Sequence, residues 1–124
     1  MNKEDLKIRT KQFSLSIMKL TEHIPNTKAG HTLANQLIRS STSVGANYRA
    51  ACRAKSDKDF LYKILIIEEE SDETLFWLEL LNEGEIVDSA ILAPLMKECN
   101  ELVSIFTSTG KTLRNNINKQ KNIK

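Results

Sequence analysis

Apolar residues recur along this chain at alternating three- and four-residue steps, the mark of one buried face on each of several helices. Leu6, Phe13, Ile17, Leu20 and Ile24 keep the rhythm once Thr10 fills the one missing place, and Pro25 ends it. The spacing predicts a first helix over 4–24. Asn26 or Thr27 can cap the next segment, where Ala34, Leu37, Ser41, Val44, Tyr48 and Ala51 predict a helix over 27–55. Ser56 and Asp57 offer another cap, and Phe60, Leu61, Ile64, Leu65, Ile67, Leu75, Leu78 and Leu81 predict a third helix over 57–82. Asn82 to Glu85, with Gly84, is the expected break. Leu95, Cys99, Leu102, Phe106, Gly110, Leu113 and Ile117 predict a fourth helix over 89–117. It should start or kink near Ala93, because Pro94 deeper inside a helix removes a hydrogen bond. Residues 118–124 form a polar, basic tail that should fray.

Nothing alternates with period two. Four helices joined by short connections are antiparallel neighbours, so the expected fold is all-α, an antiparallel up-down-up-down four-helix bundle over 1–117. A length of 124 residues fits one domain. With 40% hydrophobic and 27% charged residues, the composition excludes a disordered chain, and the longest apolar run, Ile64 to Ile67, is far too short for a membrane span. The polar start, 1–11, has no apolar signal core, which points to the cytoplasm. Tyr62, Ile66, Phe76, Trp77 and Leu80 lie off the main stripe of the third helix. A second buried surface, most simply between subunits of a homo-oligomer, would account for them.

The net charge of +2 hides a sorted distribution. Between His23 and Ser56 there is no acidic residue, while Lys28, Arg39, Arg49, Arg53 and Lys55 are basic. From Asp57 to Glu85 ten carboxylates face Lys58 and Lys63, and from Gly110 onward every charge is basic, including Lys111 and Arg114. Such sorting serves pairing between copies, docking of a phosphate backbone, or solvation and pairing within the bundle. The phosphate reading selects Arg39, Arg49, Arg53, Lys55, Lys111 and Arg114 as contacts. The seam of the third helix passes through Glu68, Ser71 and Asp72, so Asp72 and its neighbour Glu69 join Phe76 and Trp77 as buried polar or interface candidates. A buried carboxylate needs a cation, and Arg39 is the first choice.

Catalytic patterns are missing. A di-iron bundle needs Glu-x-x-His pairs, and the two histidines, His23 and His31, sit near the first loop. The four glycines form no phosphate-binding loop. Ser40 to Ser43, beside Val44, Gly45 and Ala46, have no base nearby and serve better as small residues that let helices approach. Cys52 and Cys99 lack metal-site spacing and suit the core. No enzyme, metal or cofactor is expected, and no membrane-docking helix.

Three stretches carry a resemblance. Gln36-Leu37-Ile38-Arg39-Ser40-Ser41-Thr42-Ser43-Val44-Gly45-Ala46-Asn47-Tyr48, then Arg53-Ala54-Lys55-Ser56 with Asp59-Phe60, and Glu68-Glu69-Glu70-Ser71-Asp72-Glu73-Thr74-Leu75-Phe76-Trp77-Leu78-Glu79-Leu80-Leu81 stand in an order and spacing similar to the bacterial four-helix-bundle proteins. These are also called the 23S ribosomal RNA intervening-sequence protein family. Where many members read Asn-Ile-Ala-Glu-Gly, this chain has Asn47-Tyr48-Arg49-Ala50-Ala51. The resemblance implies an antiparallel bundle, a five-membered ring of subunits, and kinship with the basic accessory protein of diversity-generating retroelements. Two functions follow as expectations: a non-catalytic oligomer whose basic surface contacts structured RNA or a nucleoprotein, or an assembly module with no nucleic-acid role.

Overall fold

Asn2 starts the first helix. Its side chain accepts the Asp5 amide at 2.8 Å, while the Asp5 carboxylate accepts the Asn2 amide, a reciprocal cap for two donors the helix itself leaves unsatisfied. Helix α1 spans Lys3–Leu20 and closes in a 3-10 turn, Thr21–His23. Thr27 caps α2, Lys28–Ala51, through the Gly30 amide, and Ser56 caps α3, Asp57–Glu83, through the Asp59 amide. Asp88 accepts the Ala90 amide where α4, Ser89–Ile123, begins. The structure, a computed structural model, describes residues 1–123 and contains no strand among them.

Consecutive helices pack side by side, and α1 meets α4 to close the bundle. Their directions follow from side-chain levels. Cys99 donates its thiol proton to the Ser71 carbonyl, whereas Gly110, further along α4, lies against Ile64 and Leu65, earlier on α3. The fold is therefore the expected antiparallel four-helix bundle.

Each helix gives one stripe to the core. Leu6, Thr10, Phe13, Ile17 and Leu20 on α1 face Leu33, Leu37, Val44, Tyr48 and Ala51 on α2, with Ile64, Ile67, Leu78 and Leu81 on α3 and Leu92, Cys99, Leu102 and Phe106 on α4. Phe106 has no exposed surface and meets the Tyr48 ring at 5.7 Å between centroids. Truncating such a side chain to alanine costs about 3–5 kcal/mol, because the cavity only partly collapses.

The small residues of α2 bring its neighbours close. A Cβ on Gly45 would stand 3.3 Å from Ser14 Oγ, and Ser14 Oγ donates to the Ser41 carbonyl at 2.8 Å, joining α1 to α2. Side chains longer than these would push the two backbones apart.

Several boundaries differ from the periodicity. Helix α2 ends at Ala51, its last buried residue, and the Arg53 and Ala54 amides turn back to Ala50 and Ala51, so Lys55 sits in a connection rather than on a helix. Pro94 neither starts nor ends α4, which begins five residues earlier at Ser89. The proline is exposed, and the carbonyl it leaves without a donor belongs to the exposed Ala90, within reach of water. The tail expected to fray over 118–124 continues α4 as far as Ile123, with Lys124 outside the described residues. Glu69 and Asp72 are exposed. The α3 seam keeps Ser71, as the spacing predicts, but passes through Thr74 rather than Asp72, so the buried polar residues are small ones that strand no charge.

Candidate nucleic-acid interface

One end of the bundle holds the start of α1, the α2–α3 connection and the last turns of α4. Lys3 Nζ sits 5.1 Å above the Phe60 ring, and Lys58 shares a groove with Arg114, which ties these segments together. Segments 1–11, 44–63 and 107–123 form this end, and there Lys and Arg outnumber Asp and Glu thirteen to four. In 12–43 and 64–106, toward the other end, the ratio is four to twelve. Antiparallel helix dipoles largely cancel, so side chains set this field. At 1.5 Å per residue α3 alone is about 40 Å long, several times the Debye length at physiological salt, so the two ends act on partners separately.

The structure separates Arg39 from the other candidates. Its guanidinium donates to Glu70, at 3.0 Å, to Glu73 and to the Gln36 side chain. The hydrogen bond to Glu73 is the largest influence holding its proton more firmly than usual, and Glu70 adds to it. An arginine partner for the α3 carboxylates is thus present, but it serves Glu70 and Glu73, one helical position away from the residues on the expected stripe. A stripe with seven-residue spacing drifts about 20° per heptad on a straight helix. Arg39 accordingly turns toward α3, whereas Arg49 and Arg53 turn toward α1.

Arg49 and Arg53 line an open groove of about 570 Å³ between α1 and α2, together with Lys7, Lys11, Ile8 and Gly45. Lys7 pairs with Glu4 at 2.9 Å. Among the described residues Lys11, Arg49 and Arg53 make no ion pair, and neither do Lys55, Lys111 and Arg114. Lys7 and Lys11 escaped the sequence analysis because α1 carries acids in its first turn and no basic run. Their four-residue spacing was the available signal.

Arg114 lines a second groove, between α3 and α4, with Lys58, Tyr62 and Lys121. Lys111 is exposed near the same end, and Lys55 is exposed in the α2–α3 connection. The cations thus surround the end rather than converge on one point, a geometry suited to an extended polyanion.

Phe76 and Trp77 sit edge to face at 5.2 Å, with Phe76 half exposed and the buried Trp77 Nε1 lacking a hydrogen-bond partner. They lie on the acidic half of α3. Arg9, on α1, forms a two-point pair with Glu98 on α4, Nε to Oε2 at 2.8 Å, and also reaches Glu101, so this cation serves the α1–α4 seam. Among the described residues no three His, Cys, Asp or Glu side chains group as a metal site, and no helix is long and apolar enough to cross a membrane.

Curated proteins offer no match to the chain. A solved structure does: a protein of unknown function from the S23 ribosomal protein family of Bacteroides thetaiotaomicron VPI-5482 is 31% identical, with 85% of this chain and 97% of that one covered at a TM-score of 0.77. The model of the 23S rRNA-intervening sequence protein family matches residues 4–108, which span all four helices. With its small-residue α2, its acidic α3 and its bundle topology, the chain belongs to the 23S rRNA-intervening sequence protein family.

Proposed function

We propose that this protein is a non-catalytic, self-associating bundle that contacts structured RNA, or a nucleoprotein containing it, through its basic end. One observation carries the reading: among the described residues most of the unpaired cations gather at one end while the carboxylates gather toward the other. Neutralising phosphates with Lys and Arg releases condensed counterions, so a surface of this kind favours nucleic acid at low salt. The family's name refers to an intervening sequence of 23S rRNA, and a cytoplasmic location goes with the proposal. Arg49 and Arg53, with Lys7 and Lys11 across the groove, form one contact region, and Lys55, Lys111 and Arg114 extend it around the end.

Filter binding to a structured RNA across a salt series tests this. Binding should weaken linearly on logarithmic axes, and Arg49→Ala with Arg53→Ala should flatten that slope by about two. No binding at low salt, or binding indifferent to salt, overturns the proposal.

The assembly-module reading has its own support in exposed apolar side chains: Leu15 and Met18 on α1, Phe76 and Leu80 on α3. Under it, Arg49→Glu with Arg53→Glu breaks the oligomer in sedimentation velocity, and the parent protein shows no RNA binding. The pentamer implied by the family resemblance is tested by the same runs.

A further inference from the structure

Two exposed aromatic sites lie on α3, and their electrostatic settings are opposite. Phe76 is beside Trp77 in the acidic half, where Glu73 and Glu79 flank the pair along the chain. A phosphate backbone would be repelled there. Tyr62 is on the basic end, 63% exposed, and lines the groove between α3 and α4. Lys58 lies one turn before it, while Arg114 and Lys121 line the groove from α4, and Leu61 and Leu65 add apolar lining from α3. The volume, about 340 Å³, falls among those of small-ligand pockets, roughly 300–1,000 Å³.

The acids nearest Tyr62 along α3 do not close this groove to an anion. Asp59 accepts the Lys55 amide at 3.4 Å and belongs to the helix cap, and the next carboxylate along α3, Glu68, comes more than a turn later. Tyr62 is also dispensable to the core, which α3 supplies through Ile64 and Ile67. An exposed aromatic ring among three cations suits an occupant with both a flat apolar face and negative charge. An unpaired nucleotide has both. Base stacking on an aromatic ring tolerates any sequence, and cations beside the ring track the phosphates.

We propose that the Tyr62 groove is a subsite for single-stranded nucleic acid: an unpaired base stacks on the Tyr62 ring while Arg114, Lys121 and Lys58 hold the adjoining phosphates. This rests on the reading that the basic end binds RNA and specifies which part of a structured RNA it takes, a loop, bulge or end rather than a helical stem. The phosphates on a stem face outward but its bases are already stacked, so a stem would use the cations and leave Tyr62 idle.

The test compares Tyr62→Ala, Tyr62→Phe and Arg114→Ala with the parent protein in fluorescence anisotropy, using a short labelled single-stranded RNA of mixed sequence and a blunt duplex of similar length. Tyr62→Ala should weaken single-strand binding at least about fivefold without altering the salt slope, since no charge is lost. Tyr62→Phe should bind like the parent, because the ring remains. Arg114→Ala should reduce the salt slope by about one on both RNAs. Circular dichroism should show all three variants as folded as the parent, Tyr62 and Arg114 being exposed. If the parent binds RNA but Tyr62→Ala binds the single strand equally well, or weakens on the duplex by the same factor, the stacking subsite is wrong and the basic-end reading stands. If the parent binds neither RNA at low salt, both fall.

Discussion

Thr74 Oγ1 donates to Ser40 Oγ at 2.7 Å across the α2–α3 seam, and neither residue has any exposed surface. The pair occupies core positions where a leucine would be the ordinary choice. Two hydroxyls there keep the helices close; Thr74 gives Ser40 the partner that water would otherwise provide, while Thr74 Oγ1 also reaches the Glu70 carbonyl at 2.8 Å.

Removing Thr74 alone should therefore cost more than removing both. Thr74→Val strands the Ser40 hydroxyl and is expected to lower stability by about 1–3 kcal/mol, whereas Ser40→Ala should cost less, because Thr74 Oγ1 still donates to the Glu70 carbonyl at 2.8 Å. The double variant should recover much of that loss, because no polar atom is left orphaned. Urea unfolding of the four proteins measures the coupling, and strictly additive losses would contradict it.

Arg9 and Arg39 both bridge helices, but not equally. Arg9 is the more enclosed and meets Glu98 through two nitrogens on the α1–α4 seam, while Arg39 is about half exposed to water. Arg9→Ala should cost about 1–2 kcal/mol and Arg39→Ala no more than about 1 kcal/mol. Thermal melts at low and at high salt check the ordering, with the Arg39 loss shrinking more in salt.

The end of α3 holds Glu85 in the left-handed region at φ 54°, while Gly84 is right-handed. The Ile86 amide bonds the Leu81 carbonyl at 2.9 Å and the Glu85 amide bonds that of Asn82, the paired bonds of a helix stop whose left-handed residue is normally glycine. Glu85→Gly should stabilise the protein by up to about 1 kcal/mol by relieving that strain. A drop in melting temperature would show that the strain is absorbed elsewhere.

Burial pushes the Cys99 thiol up to about 12, and the nearby Asp72, Glu98 and Glu79 carboxylates add to the shift. An unfolded chain releases a thiol proton near pH 8.5. Between these values the unfolded state binds fewer protons than the folded one, so stability should fall as pH rises from about 9 toward 12. Buried Tyr48, shifted upward mainly by desolvation, adds to the fall above about pH 10. Urea unfolding at pH 7, 9 and 10 should record the decline, with Cys99→Ala flatter between the first two. In the folded protein at pH 8 a thiol reagent should label half-buried Cys52 well before Cys99.

Seven-residue recurrence on each rod, together with Thr27, Ser56 and the glycine-marked turn, was enough to read helix number, order and antiparallel packing from the chain, because local hydrogen bonding and one-sided burial are properties of short segments. Thr10 could even be placed in the core, since its neighbours on the stripe left one gap. The family was legible for a similar reason: a run of small residues, and a stretch of acids ending in tryptophan, are linear features.

Phase along α3 was not legible. Both Asp72 and Ser71 lie near the seam in a helical projection, and only the approach of α2, with Ser40 against Thr74, settles which one is buried. The fate of Arg39 likewise depended on Glu70 and Glu73 arriving from a neighbouring helix. Lys7 and Lys11 joined Arg49 and Arg53 only through the crossing of α1 and α2, and Tyr62 met Arg114 only through that of α3 and α4. Charges far apart in sequence add their fields in space, so the polar split of the bundle into a basic and an acidic end exists only once antiparallel packing has brought the segments together.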